Sequence, residues 1–465
     1  MGIKGLFKRN KRSVSITDGP MFLNIFLYSV PTILSGMLQL LYNAADNIVI
    51  GQYSQNENSL AAVGSTAALT NLIVNLLFGL SVGTGVAVAR AIGSKNEKAT
   101  SDAVHTSVAV SAIGGVIFGI IGIVFCKPLL VLLGTKPEVL DKAALYMTIF
   151  FCGMPANSIF NFGASILRSK GDTKRPMIIL IITGLINVIC NLFFVISCGL
   201  DVEGVALATI IAQYISAVVI IILLCREKDA CRLRFSKLCI KWKVFKDLVR
   251  VGLPAGVQGM LFSLSNAIIQ SAVNTFPTVA VNGNTAASTI EGFVYIAMNA
   301  FYHTALTYVG QNYGAKKYDR IKKSIIFCTI QVVLVGLSIS ALILAFGKPL
   351  ALLIKNNNDI AAAAVNRMWV ILPAYFVCGI MEVLTGSLRS LGKSTVAMLS
   401  CIMGACVFRI FWVKVLFPLD AFNSPFGLYI SYPISWVLTA LTLLGALLFT
   451  LRGVKKSLEI SEVIK

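Results

Sequence analysis

Charge is in short supply in this chain. Only 13% of its 465 residues are Asp, Glu, Lys or Arg, against the roughly 25% that a soluble surface carries. So few charges cannot coat a globule of this size, and a soluble, fibrous or disordered protein is excluded. Acidic residues are scarcer than basic ones, 20 against 40, for a net charge of +20. Histidine is nearly absent: His105 and His303 lie far apart and offer no zinc pair. None of the eleven cysteines forms a CxxC pair. They fall mostly inside apolar stretches and read as small core hydrophobes. No DxxD motif occurs, as a metal-dependent membrane transferase would require. The opening stretch is polar and basic as far as Asp18, so no cleavable signal peptide is expected before the first apolar run.

Apolar residues fill the space. AVILMFWYC make up 57% of the chain. They gather in runs at roughly 22–50, 59–89, 103–125, 139–166, 177–198, 204–225, 251–276, 284–312, 324–347, 361–388, 396–417 and 427–450. Most reach the ~20 residues that cross a bilayer. The fold class expected is an all-α polytopic membrane protein with twelve transmembrane helices. Thirty-two of the 40 basic residues fall before run 1 or after an even-numbered run. The opposite loops hold little beyond Lys127, Lys136, Lys348 and Lys355. The positive-inside rule then places both termini in the cytoplasm. Because the basic residues sit in short blocks between apolar runs, nucleic acid is rejected as a partner; the partner is the lipid bilayer of the cell membrane.

The chain repeats itself. A shift of 221 brings Phe125, Lys127, Pro128 and Leu129 onto Phe346, Lys348, Pro349 and Leu350, and Leu167-Arg168-Ser169 and Gly171 onto Leu388-Arg389-Ser390 and Gly392. A shift of 223 brings Pro31, Gly36-Met37-Leu38 and Asn43-Ala44 onto Pro254, Gly259-Met260-Leu261 and Asn266-Ala267. Each half holds six spans, an even number, so the halves form a parallel repeat of the kind transporters use. The expected organisation is a cytoplasmic segment 1–21, an N-lobe 22–225, a basic linker 226–250, a C-lobe 251–450 and a tail 451–465. The linker reads as a solvated tether touching anionic lipid.

Polar residues inside spans mark function. Of the acids, Asp46, Glu291 and Glu382 lie well inside runs. Ser35, Gln39, Tyr42 and Asp46 share one helix face. Similar stripes are Asn157, Asn161 and Ser165; Thr183, Asn187 and Asn191; and Thr209, Gln213 and Ser216. Four stripes in one lobe, one with a carboxylate, point to a polar chamber. Its oxygen-rich lining without soft ligands suits a proton or a hard cation. The second lobe carries Ser263, Asn266, Gln270 and Asn274, then Glu291, and Tyr375 seven residues before Glu382. Only Arg409 reads as a basic residue deep in a span, with Glu382 as its candidate partner. Met260, Met298, Met381, Phe293, Phe301 and Tyr295 offer an adaptable apolar wall, although ordinary helix packing explains any single one of them.

Twelve spans in two repeats, a first span reading Pro31…Tyr42-Asn43-Ala44-Ala45-Asp46…Gly51, the stretch Leu167-Arg168-Ser169-Lys170-Gly171-Asp172 and the stretch Gly310-Gln311-Asn312-Tyr313-Gly314-Ala315 resemble the multidrug and toxic compound extrusion (MATE) family. The resemblance covers about residues 20–455 and is closest to bacterial branches, including the one named after the DinF proteins. It implies export of cationic, often aromatic drugs in exchange for Na⁺ or H⁺. It places the coupling ion on Asp46, with Tyr42, Asn187, Asn191, Thr209 and Asn161 around it, and a helix bend at Pro31. The family's second acid on run 5 is Asn191 here, and the second-lobe acid of some relatives on run 7 is absent, with Phe262 and Ser263 in that stretch. One carboxylate favours H⁺ over Na⁺, so no metal is expected beyond a possible Na⁺ at Asp46, and no cofactor. Gln39, Glu291, Glu382, Tyr375, Gln270 and Asn266 are the expected cargo residues, in a cavity between two rocking lobes of a monomer. The expected function is a cation-coupled antiporter rather than an enzyme. A flippase for lipid-linked oligosaccharides, with the same architecture, is the alternative; it would call for a basic cavity. A membrane-embedded transferase is a more distant one.

Overall fold

The computed structural model describes residues 16–53 and 59–463. The five basic residues before Ile16 and the first loop, 54–58, lie outside the described residues. All regular structure among those described is helical. The first half runs α1 (Met21–Tyr53), α2 (Ser59–Gly93), α3 (Glu97–Leu132), α4 (Pro137–Cys152), α5 (Met154–Ser169), α6 (Lys174–Leu192) and α7 (Val202–Cys225). The second runs α8 (Trp242–Val273), α9 (Thr278–Gly314), α10 (Tyr318–Ala345), α11 (Gly347–Ile354), α12 (Asn358–Ile371), α13 (Tyr375–Ser390), α14 (Ser394–Cys401), α15 (Phe408–Phe411), α16 (Pro425–Tyr429) and α17 (Ser431–Val463).

Ten helical stretches are long and apolar enough to cross a membrane, and α4 with α5 makes an eleventh span bent by 47°. The bend falls at Gly153, where Pro155 cannot donate a backbone hydrogen bond to the turn before it. Helix α9 supplies the twelfth span. It has 37 residues, more than a bilayer needs. Asn, Thr and Ser along it hold its hydropathy down, and many of its residues are buried by protein.

Two other spans are broken in ways their hydropathy hides. The run at 361–388 divides into α12 and α13 at a 3₁₀ turn, Leu372–Ala374, that contains Pro373. The run at 396–417 is interrupted by π-helical segments at Ile402–Val407 and Trp412–Leu416, on either side of α15. In the first half, α6 also ends in a π segment, Phe193–Ser197.

The internal repeat reaches the backbone. Lys95 and Lys316, 221 residues apart, both take positive φ, 54° and 56°. Gly171 and Gly392, with the same spacing, have φ of 95° and 81°. Both pairs follow helix ends, where a left-handed residue closes the last turn.

The chain folds as two compact units. The first is Val30–Met260; the second takes Ile16–Ser29 and Leu261–Lys465. Within the first, α2 and α8 cross at paired glycines. A Cβ on Gly79 would fall on the Gly256 backbone, and one on Gly252 would sit 2.7 Å from Leu80 Cα. Gly79-x-x-x-Gly83 and Gly252-x-x-x-Gly256 are small-residue stripes that let two backbones touch where lipid supplies no hydrophobic drive.

The linker is solvated along much of its length but is not a free tether. Past α7 the chain folds back, the Leu233 N–H donating to the Leu224 carbonyl at 3.0 Å. Cys231 and Leu233, each 2% exposed, join a buried cluster with Val104, Ile220 and Leu223. The Arg234 N–H donates to His105 Nε2 at 3.0 Å, and the Lys241 N–H to Thr106 Oγ1 at 3.1 Å. His105 is therefore a structural anchor for the linker. Lys170 pairs with Glu227 and Asp229, and Arg175 with Asp172 and Glu227. Burial alone would lower the pKa of the Lys170 ammonium; its hydrogen bonds to Asp229 and Glu227 override that and hold the group above the ordinary lysine value. The segment Leu167–Asp172 thus ties the linker to the first unit.

Candidate functional site

Four helices of the first unit bring their polar stripes to one cavity of about 520 Å³. Gln39, Tyr42 and Asp46 of α1, Asn157 and Asn161 of α5, Thr183 and Asn187 of α6, and Thr209, Gln213 and Ser216 of α7 all line it. The i, i+3 and i, i+4 spacings within the stripes do this by stacking side chains on one helix face. Asp46 is the one charged residue in the lining; no Lys, Arg or His shares it.

A hydrogen-bonded chain leads away from the carboxylate. Asn191 Nδ2 donates to Asp46 Oδ1 at 2.5 Å and to Asn187 Oδ1 at 3.4 Å. Asn187 Nδ2 in turn donates to Thr209 Oγ1 at 3.4 Å, and the Thr209 hydroxyl to the Val205 carbonyl at 2.9 Å. Asn191 is fully buried and stands behind the cavity wall. Its Oδ1 has no donor, so an acceptor is left over beside the acid. Gln213 Oε1 is a second buried acceptor without a partner. Such oxygens are costly unless a donor or cation visits them.

The remaining first-unit residues divide between cavity and packing. Asn161 Nδ2 donates to the Asn157 carbonyl and side chain at 2.9 and 2.7 Å. Ser216 Oγ donates to Thr183 Oγ1 at 3.0 Å. The Tyr42 ring occupies the place a Cβ on Gly184 would need, so that glycine makes room for it. Ser35 and Ser165 belong to their stripes but line no part of the cavity. Ser35 Oγ donates to the Pro31 carbonyl at 2.7 Å, and Ser165 Oγ to the Ser81 carbonyl at 2.8 Å. Helix α1 runs unbroken through Pro31.

Sequence reading missed two walls. Helix α2 contributes Thr66, Thr70 and Asn71, and α4 contributes Tyr146 and Phe150, stacked with ring centroids 6.3 Å apart. The i, i+4 spacings of Thr66 with Thr70 and Tyr146 with Phe150 were the available signal.

The second unit arranges its charges differently. Arg367 donates through Nε and Nη2 to both Glu291 oxygens at 3.0 and 2.8 Å, and through Nη1 to Asn284 Oδ1 at 2.6 Å. Asn284 continues to Gln270 at 3.1 Å, and Gln270 to Asn274 at 2.9 Å. Asn266 is exposed on α8. Tyr295 donates to Glu382 at 3.4 Å. Tyr375 packs on Trp436 with centroids 5.0 Å apart. Met298 and Phe301 are fully buried, and Met298 lies against Gly336 and Gly379, a packing role.

Two expectations are overturned here. Arg409 does not pair with Glu382: its Nε donates to Ser435 Oγ at 2.9 Å, and its guanidinium lies 4.3 Å from the Tyr432 ring centre. Aromatic faces stabilise the cation in place of a carboxylate. Nor is Arg409 the lone deep basic residue. Arg367, inside the span Asn358–Ser390, is also buried, at 4% exposure, whereas Arg389, at 5%, lies in the last turn of α13. Arg367 lies close to the start of its run and looked like an interfacial residue.

Among the described residues, no group of three or more His, Cys, Asp or Glu is placed to hold a metal ion.

Comparison with known proteins follows the same lines. The MatE family profile matches twice, over residues 31–193 and 254–413, once in each half of the repeat. The probable multidrug resistance protein YoeA of Bacillus subtilis is 26% identical, covering 90% of this chain and 92% of that protein. An FAD transporter of Shewanella oneidensis is 25% identical over 91% of this chain and 92% of its own length. The multidrug export protein MepA of Staphylococcus aureus is 21% identical over 96% and 97%. Among solved structures, an outward-facing multidrug resistance MATE family transporter superposes with a TM-score of 0.87 at 21% identity, covering 97% of this chain and all of that one. A transporter from Pyrococcus furiosus, described as having reversed binding-pocket polarity, superposes with a TM-score of 0.89 at 21% identity, covering 96% of this chain and all of that one. Two family matches spanning most of the chain, on a twelve-span helical fold with an internal repeat, place it: the chain belongs to the MatE family of multidrug efflux transporters.

Proposed function

We propose that this transporter is an antiporter that exports aromatic cations by alternating access, driven by an ion bound at Asp46, with H⁺ preferred to Na⁺. The observation that carries the reading is the lone carboxylate of the first-unit cavity, set among neutral oxygens and with no basic neighbour in the lining. A single acid can carry one proton. A tightly held Na⁺ would draw on more negative charge than one carboxylate supplies, because ligand charge tunes cation affinity. Tyr42, Tyr146, Phe150 and Phe160 on the same walls offer faces to an aromatic cation. On this reading the protein acts as a monomer, without a cofactor, in the plasma membrane. Both termini are cytoplasmic, and a bend at Pro31 accompanies the change of state. A cysteine placed at Phe235 is then labelled only from the cytoplasmic side.

The test is dye efflux from proteoliposomes under an imposed pH gradient or an imposed Na⁺ gradient. The pH gradient drives uphill export. Asp46→Asn still binds the dye and does not accumulate it against a gradient. Wild-type uphill transport by Asp46→Asn sinks the mechanism, and export that follows Na⁺ alone changes the ion.

A second reading, an anionic cargo, is favoured by one observation: Arg409 is buried without a carboxylate partner among the described residues. Competition between a cationic dye and an anionic dinucleotide for the purified protein decides between them.

A further inference from the structure

We propose that the second unit binds one anionic phospholipid, with an acyl chain laid in a groove between α10, α13 and α17 and the phosphate held at Lys322. The groove encloses about 640 Å³, and Lys322 and Thr329 are the only polar residues among its lining. On α17 it extends from Val437 to Leu451, about 21 Å at 1.5 Å per residue. One leaflet of hydrocarbon is about 15 Å deep. A chain entering at Lys322 therefore finds apolar wall for the full depth of its leaflet.

The repeat shows what such a groove requires. Shifted by 221, Val104, Val108, Ile159, Val219, Ile220 and Leu223 of the first unit fall on Ile325, Thr329, Ile380, Ala440, Leu441 and Leu444, all of which line the groove. In the first unit those positions belong to the cluster closed by Cys231, Leu233 and Leu238 of the linker. That linker folds back because α7 stops at Cys225. Helix α17 does not stop at the equivalent point but runs on to Val463. The first unit covers its surface with its own chain; the second leaves the same surface open.

Charge selects the occupant. Lys322 is exposed, its Nζ 4.8 Å from the Tyr318 ring centre, and it makes no ion pair among the described residues. Lys323 and Arg452 are exposed close by in sequence on the two flanking helices. The N-terminal residues 1–15 carry five basic residues and no acid, so they do not complement this cationic mouth. A phosphate-bearing lipid does, and each basic side chain near a membrane surface adds to its hold. The inference rests on membrane location alone and is independent of the coupling ion and the cargo.

Native mass spectrometry of the full-length protein, titrated with phosphatidylglycerol and phosphatidylcholine of identical chains, tests it. One phosphatidylglycerol is retained with about fivefold or greater preference. Lys322→Gln loses the preference, Lys322→Arg keeps it, and Leu441→Trp, which fills the groove, lowers retention of both lipids. Equal retention by the wild type, or an undiminished preference in Lys322→Gln, overturns the proposal. So does a lipid that binds only after residues 1–15 are deleted, which would assign the groove to that segment.

Discussion

The first unit leaves Asp46 on a cavity wall among neutral amide and hydroxyl groups, whereas the second locks Glu291 against a buried base. Asp46 accepts from Asn191 and meets no base. Glu291 is gripped at both oxygens by Arg367, which also holds Asn284. A carboxylate in a fixed bidentate pair has little freedom to change its charge, because losing it strands the partner. A carboxylate among amides and hydroxyls can change charge without stranding anything. The two halves share one repeat, yet one sets its carboxylate among neutral groups on a cavity wall and the other fixes a carboxylate in a bidentate pair.

The largest test of that contrast is Arg367→Met. It leaves Glu291 buried and unpaired, and thermal unfolding of the purified protein should show a loss of about 3–5 kcal/mol. Adding Glu291→Met should recover most of it. A single mutant as stable as the wild type would remove the distinction between the units. Next, Gly256→Val forces a side chain into the α2 backbone, where its Cβ would lie 2.9 Å from Leu76 Cα, and should cost about 1–3 kcal/mol. Gly445→Val in the second unit meets nothing within 4 Å and should stay within about 0.5 kcal/mol. Glu227→Ala strips Lys170 and Arg175 of a nearly buried partner and should cost about 1–3 kcal/mol, seen as earlier proteolysis within the linker. The smallest expected effect is chemical. Burial first, then the nearby Asp229 carboxylate, pushes the Cys231 thiol up to about 12. At pH 8 its thiolate should be about a thousandfold scarcer than that of an ordinary cysteine. A maleimide should therefore modify exposed Cys239 and spare Cys231. Equal labelling would show that the linker does not cover the first unit.

Much of this architecture was legible because hydropathy and repeat offsets are collective signals spread over many residues. The four stripes around Asp46 were legible for a related reason: an i, i+4 polar spacing within an apolar run has few explanations other than a shared polar surface. Thr66, Thr70 and Asn71 escaped because a threonine in an apolar run can satisfy its hydroxyl on the preceding turn, as Thr66 does on the Val63 carbonyl, so its spacing points less clearly to a polar surface. Arg367 escaped because Pro373 breaks its run into two helices, so distance from the run's edge said little about burial. The partners of Arg409 are ring faces and a serine from α17, and neither spacing nor charge counting reveals a cation–π contact. The linker misled because its basic residues dominate composition, while three apolar residues, Cys231, Leu233 and Leu238, decide where it lies.

The division of α1 between the units has a consequence for synthesis. Among the described residues the first unit is the stretch Val30–Met260, and all of it has been made once the ribosome passes Met260. The second unit requires Ile16–Ser29, which are among the earliest residues produced. Tyr28 meets Thr307 and Ser29 meets Thr304, each at 2.9 Å, across sequence separations of 279 and 275 residues. At about 5–20 residues per second, those two hydroxyls wait roughly 14–55 s for partners. During that interval the start of α1 has been made without the α9 hydroxyls that satisfy it in the finished fold.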